Sequence, residues 1–369
     1  MLRPHLVKAP SLGLKREKMT RDNPRLNVTT SGALLPAALA LSMIILSGAC
    51  STSGQASSDT TGSPPHTTII APLVKARTIK AHANSIDAVA YSPEGTLFAT
   101  GSWSRDPKWG PRGEVKIWDA QGKMRRTLHG HAAAVKALAF SPNGQILASG
   151  AYDKTLILFN TRSGAATKLP NRHAAPIILL SFSPDGSQLV SGDEGGALIF
   201  WNVRTLRPVQ ERFLRGHSGK MRAYAYSWPN DVLATADAGQ AVMLWKAEHG
   251  GPRLLTKNRG LALSLAFSPD GKLLASANHS DVWLWDVASG NDVSALVHTA
   301  PVGVLAFSPD GSVLACGLQD GGIDLHLTND PVGSPTALTH GSKISVLAFS
   351  SAPRAMISGS SDGSLIVWR

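Results

Sequence analysis

Residues 131–159 read HAAAVKALAFSPNGQILASGAYDKTLILF, and this stretch decides the fold. It opens on His131 and enters an apolar run that ends at Phe140. Ser141-Pro142-Asn143-Gly144 then turns the chain, a second apolar run follows, and after another polar turn LILF closes the unit. Short runs of branched and aromatic residues punctuated by Pro, Asn and Gly predict strands joined by tight turns, not helices. Asn-Gly and Asp-Gly supply the positive φ that such hairpins need.

The unit recurs. Its first-run aromatic reappears at Tyr91, Phe140, Phe182, Tyr226, Phe267, Phe307 and Phe349, at spacings of 49, 42, 44, 41, 40 and 42 residues. Nine residues before each stand His82, His131, His173, His217, Asn258, His298 and His340. Each unit closes on Trp118, Phe159, Trp201, Trp245, Trp285, His326 or Trp368. A period near 42 is the mark of a repeat architecture, in which each unit buries its apolar faces against its neighbours.

Gly130-His131 and Gly216-His217 at the front, with Trp118-Asp119 and Trp285-Asp286 at the back, make the unit resemble the WD40 repeat family. The resemblance runs from about residue 73 to 369. It implies an all-β fold, a seven-bladed β-propeller of four-stranded blades. The seventh unit stops at Trp368-Arg369 with three strands. Lys75–His82 (KARTIKAH) matches Met124–His131 (MRRTLHGH), the fourth strand entering repeat two. Residues 73–80 are therefore expected to complete the last blade and close the ring, which removes exposed sheet edges.

The resemblance also implies a role for the histidines: a buried hydrogen-bond chain of His, Ser or Thr, Asp and Trp in each blade. Repeat seven matches with His340, Ser358, Asp362 and Trp368. Repeat two has His131, Ser149 and Asp153, but Phe159 lacks the indole donor. Repeat one has His82, Thr100 and Trp118. Repeats three and four have His173, Ser191 and Trp201, and His217, Thr235 and Trp245, with Gly195 and Gly239 where Asp belongs. Repeat five has Asn258, Ser276 and Trp285, and repeat six has His298, Cys316 and His326. The reading gives these residues structural roles, expects less rigid blades in repeats three to six, treats Cys316 as an inert buried thiol, and predicts no metal and no cofactor.

Upstream of the repeats the chain reads differently. Residues 33–49 are an uncharged apolar run, ALLPAALALSMIILSGA, preceded by Lys15, Arg16, Lys18, Arg21 and Arg25. That is the layout of a secretory signal. Leu46-Ser47-Gly48-Ala49-Cys50 resembles a bacterial lipobox, with Ser47 in place of the usual aliphatic residue. The resemblance implies acylation of Cys50 and a durable membrane anchor. STSGQASSDTTGSPPHTTIIAP (51–72) reads as a polar tether. The expected domains are a signal peptide over 1–49, with Met19 an alternative start, a lipidated Cys50 and tether over 50–72, and the propeller over 73–369. The expected location is the bacterial cell envelope, on the outer-membrane or periplasmic side where two membranes exist.

Composition narrows the function. The 369 residues carry 36 Lys/Arg against 25 Asp/Glu, a net charge of +11. Residues 1–49 hold seven bases and two acids of these, hence +5, and the remainder carries +6. So mild an excess gives little ground for nucleic-acid binding. Two cysteines cannot form a disulfide framework or a four-thiolate zinc site. No HExxH or GxxxxGK motif is present. The reading is a non-enzymatic, monomeric scaffold for protein partners. The alternatives are a glycan- or cell-wall-binding module and a hydrolase or lyase at the channel mouth.

One loop breaks the repeat. Seventeen residues separate Thr100 from Trp118, against nine between Ser149 and Phe159. The insertion carries Trp103, Arg105, Lys108, Trp109 and Arg112, residue types that anchor interfaces. It reads either as a binding loop or as a hairpin extension packed on a neighbouring blade. The family geometry adds the residues before the turn Asp as partner-facing candidates: Tyr152, Glu194, Gln319 and Ser361.

Overall fold

The protein is described here by a computed structural model covering residues 73–106, 110–246, 252–255, 261–351 and 355–369. The segments read as signal peptide, Cys50 and tether lie outside the described residues. Within them the chain forms seven antiparallel four-stranded sheets and no helix. The seven-bladed β-propeller expected from the repeats is the observed architecture.

Blade two shows how the sequence makes a blade. Its strands are Val135–Phe140, Ile146–Ala151, Leu156–Asn160 and Ala166–Lys168, paired in chain order. Every residue of the first strand is buried and every residue of the fourth is exposed. This gradient matches the sequence, which runs from VKALAF to ATK. The SPNG turn works through Asn143, whose Oδ1 accepts hydrogen bonds from Ser141 Oγ and the Gln145 N–H at 2.8 and 3.1 Å. Gly144 supplies the left-handed φ of 67° there. Gly150 serves another need: a Cβ would fall 2.5 Å from Ile177 of blade three, so only glycine lets the two blades approach.

The core lies between blades, not within them. The buried apolar residues fall into seven clusters, and each draws from two adjacent blades, closing the circle with one that joins blades seven and one. Phe140 and Phe307 are fully buried in this way. Burial of such a side chain contributes roughly 1.5–3 kcal/mol. No blade keeps its core alone, so the ring stands or falls as a unit.

The closure expected from KARTIK is observed. Lys75–Lys80 pairs antiparallel with Ser364–Trp368, in the register Thr78 to Ile366. Val74 and Arg369 exchange backbone hydrogen bonds of 2.7 and 3.0 Å, and Ser345 Oγ of blade seven bonds the Ile86 carbonyl of blade one at 2.5 Å.

Candidate protein interface

The buried networks set the geometry on which any site is built. In blade one His82 Nε2 meets Thr100 Oγ1 at 2.7 Å, and the Trp118 indole donates to the same oxygen at 2.9 Å. Blade three repeats this with His173, Ser191 and Trp201 at 2.7 and 2.8 Å, and blade four with His217, Thr235 and Trp245 at 2.6 and 2.7 Å. In blade five the Trp285 indole donates to Ser276 at 2.9 Å, while Asn258 lies outside the described residues.

The other imidazole nitrogen corrects the sequence reading. Repeats three and four are not short of an acid. Asp193 stands 2.9 Å from His173 Nδ1, and Asp237 stands 3.1 Å from His217 Nδ1. Both sit two residues past the Ser or Thr, not four, at the last residue of the second strand, the position that Ala151 holds in blade two. Blade one draws its acid from across the hairpin, where Glu114 bonds His82 Nδ1 at 2.7 Å. Blade two uses Asp153 at 3.3 Å, reinforced by Thr155 at 2.9 Å. Blade seven departs the other way. His340 contacts Ser358 through Nδ1 at 2.7 Å and Ser364 through Nε2 at 2.9 Å, so Asp362 reaches it only through Ser364. Burial lowers His82, His217 and His340 below the usual imidazole range, His340 to about 4.

Above these networks lies one rim of the ring, formed where first strands begin and second strands end. In six blades the first strand carries a register shift at its second residue, a β-bulge. A bulged residue is released from the ladder and re-aimed. The bulge positions are Lys136, Ile178, Arg222, Leu263, Gly303 and Ser345, and Asp87 is the blade-one counterpart. Lys136 Nζ reaches back 2.8 Å to Asp87, and both side chains are buried. The same ammonium lies 5.2 Å over the Tyr152 ring. Burial and the neighbouring Glu194 carboxylate push the Tyr152 phenol up to about 12. Glu194 is only 8% exposed, and its Oε1 has no hydrogen-bond partner. Asp87, Lys136, Tyr152 and Glu194 thus form a continuous polar arc, with Arg222 close enough to Tyr152 to act on it.

The candidate binding residues therefore separate. Tyr152, 37% exposed, and Glu194 come together on this arc. Glu194 is an enclosed carboxylate and not the exposed contact its position implied. Gln319 and Ser361 lie on the same rim in blades six and seven. The blade-one insertion is a long hairpin, Leu97–Asp106 paired with Gly110–Asp119, so it extends the sheet and is not a free loop. Trp103 stands on it, 37% exposed, with its carbonyl accepting from Asn84 at 3.0 Å. Arg105 is exposed and Arg112 half-buried, whereas Lys108 and Trp109 lie outside the described residues. Asp87, Lys136 and Arg222 were missed. Their signal was a charge directly after the apolar anchors Ile86, Val135 and Met221, at the head of an otherwise apolar strand.

With this geometry in hand, the comparisons are specific. Residues 76–221 match the model described as IFT140 first beta-propeller. Residues 256–286, 291–325 and 333–369 match the WD domain, G-beta repeat. The chain is a β-propeller carrying WD40 repeats, a class that generally serves as a non-enzymatic platform for protein partners. Human apoptotic protease-activating factor 1 is 35% identical over 94 residues, covering 23% of this chain and 7% of that protein. The chain therefore spans only a small part of that relative's length.

Proposed function

We propose that this protein is a monomeric, non-enzymatic scaffold, anchored at the bacterial cell envelope through acylated Cys50, that binds a protein partner on the rim of blades one to four. The observation that carries the binding reading is the arc itself. A buried carboxylate oxygen without a hydrogen bond is costly unless a donor arrives. Glu194 Oε1 is such an oxygen, and Tyr152 and Trp103 offer aromatic surface on the same rim. A partner segment bringing an amine, guanidinium or backbone N–H beside an apolar side chain would satisfy both. The anchor reading rests on the apolar run, the lipobox-like residues and the polar tether, and the export it implies also supports an envelope partner.

The binding reading is tested by photo-cross-linking from position 105, exposed on the blade-one hairpin, in envelope extracts, beside Tyr152→Ala and Glu194→Gln. A discrete cross-linked protein that both substitutions remove, with melting temperature retained, supports it. Cross-linking unaffected by either substitution overturns it. Sedimentation with cell-wall polymer that Trp103→Ala abolishes would replace it with the glycan-binding reading. Intact mass settles the anchor separately: a diacyl or triacyl adduct that Cys50→Ala removes supports it, and an unmodified N-terminal segment rules it out.

A further inference from the structure

Blade six carries a different set of side chains at the network positions. Cys316 replaces the Ser or Thr, His326 replaces the Trp, and His298 holds the usual histidine position. All three are buried, Cys316 completely, and one ring nitrogen of each histidine and the Cys316 Sγ lie within 4.8 Å of one another. Strand pairing explains the convergence. Cys316 sits opposite Asp324 and Leu314 opposite His326, so Asp324 and His326 share one face of the third strand with Cys316 across from them. Asp324 Oδ2 lies 3.9 Å from His298 Nε2.

The tautomers make this more than a substituted core. His298 Nδ1 faces the Ser280 carbonyl at 3.3 Å, and His326 Nδ1 faces the Pro331 carbonyl at 3.2 Å. A carbonyl only accepts, so the tautomers that satisfy both carbonyls carry their protons on Nδ1, and a neutral ring could put a proton between the two Nε2 atoms only by giving up its carbonyl bond. Both Nε2 atoms then present lone pairs, and they stand 3.1 Å apart with the rings at 77°. Two facing lone pairs repel unless a positive charge sits between them. An added proton would place an imidazolium inside the blade, which burial disfavours. A backbone carbonyl holding the far nitrogen is also the usual outer shell of a metal-ligating histidine.

We propose that His298, His326, Cys316 and Asp324 form a binding site for one borderline-soft divalent cation of the zinc class. The donor set of two imidazoles, a thiolate and a carboxylate suits a tetrahedral zinc-class ion. With bonds of about 2.0–2.1 Å, tetrahedral nitrogens stand roughly 3.3 Å apart, close to the observed separation. Thiolate and carboxylate neutralise a divalent charge, so the filled site buries no net charge. On binding, the Cys316 thiol proton leaves to solvent as the sulfur–metal bond forms, and no electrons move. The ion would take the place of the serine-centred network of the other blades.

The test uses the untagged full-length chain, stripped with chelator and titrated with Zn²⁺, and with Co²⁺ as a spectroscopic probe. The expected result is one equivalent bound, a thiolate-to-cobalt band in the near ultraviolet, and a higher melting temperature with Zn²⁺. Cys316→Ser should abolish that band. Cys316→Ser with His326→Trp installs the residues of blade seven, so it should fold while binding Zn²⁺ at least about 100-fold more weakly, beyond the loss seen for outer-shell changes alone. Failure of the wild-type chain to take up either ion at millimolar concentration would overturn the site. So would stoichiometric binding that the double substitution leaves unchanged, or a cobalt complex without the sulfur band.

Discussion

The rim over blades one to four and the rim over blades five to seven are built from the same repeat and carry different chemistry. On the first, the inner positions are Asp87, Lys136, Ile178 and Arg222, with Trp103, Tyr152 and Glu194 beside them. On the second they are Leu263, Gly303 and Ser345, with His279, Gln319 and Ser361. Beneath both, the small hydroxyl of the second strand recurs in six of seven blades, with Cys316 the exception. The difference teaches where repetition ends. Positions that hold blade to blade are kept similar because each serves the same packing problem. Positions on the rim are free to diverge, and in one sector they have diverged toward charge and aromatic surface.

The largest way to break that contrast is Lys136→Met. It leaves Asp87 buried without its partner, and loss of one member of a buried ion pair costs about 3–5 kcal/mol. Denaturant unfolding should show this, and Asp87→Leu added to Lys136→Met should recover most of it. The equivalent change on the other sector, Leu263→Met, should fall below about 1.5 kcal/mol because volume and polarity are kept.

The networks below the rims predict the next effect. Trp368→Phe removes the indole donor to Ser358 and leaves a small gap, a loss of about 1–3 kcal/mol. Blade two already carries Phe159 at this position, so Phe159→Tyr or Phe159→Leu should show no loss of a hydrogen bond to Ser149, only packing changes.

Acid should weaken the ring as a whole. Burial lowers His82, His217 and His340, the last to about 4, while an unfolded imidazole titrates near 6.5. Between those values the unfolded chain binds more protons than the folded one. This contribution to stability is complete above about pH 6.5 and is lost as pH falls toward 4. Melting curves should therefore shift downward steadily between pH 6.5 and 4, and replacing His340 with Gln should flatten part of that slope. The smallest expected effect is on the neutral rim: Gln319→Ala and Ser361→Ala should each change stability by no more than about 0.5 kcal/mol.

The fold was legible because its signals are local. Ser-Pro-Asp-Gly turns, the nine-residue offset from histidine to aromatic, and the KARTIK match at the N-terminal side each need only neighbouring residues. The networks were legible in part. Their hydroxyls sit at a fixed offset, but the acids come from three places: four residues on for Asp153, two for Asp193 and Asp237, and across the hairpin for Glu114. The rim arc was not legible, although Tyr152 and Glu194 were singled out. Asp87 and Lys136 meet across a blade boundary 49 residues apart, and no repeat motif marks a contact between units. The blade-six cluster was visible only as two departures from a pattern, Cys316 and His326. That both its imidazoles turn a lone pair inward depends on the carbonyls of Ser280 and Pro331, which sequence alone does not place.

The contrast between the sectors is tested most directly by quantitative cross-linking in envelope extracts with two matched proteins. One carries Trp103→Ala, Tyr152→Ala and Glu194→Gln, and the other carries His279→Ala, Gln319→Ala and Ser361→Ala. The account predicts that the first loses the partner at retained melting temperature while the second captures it as the wild type does. Equal capture by both, or loss confined to the second, would contradict it.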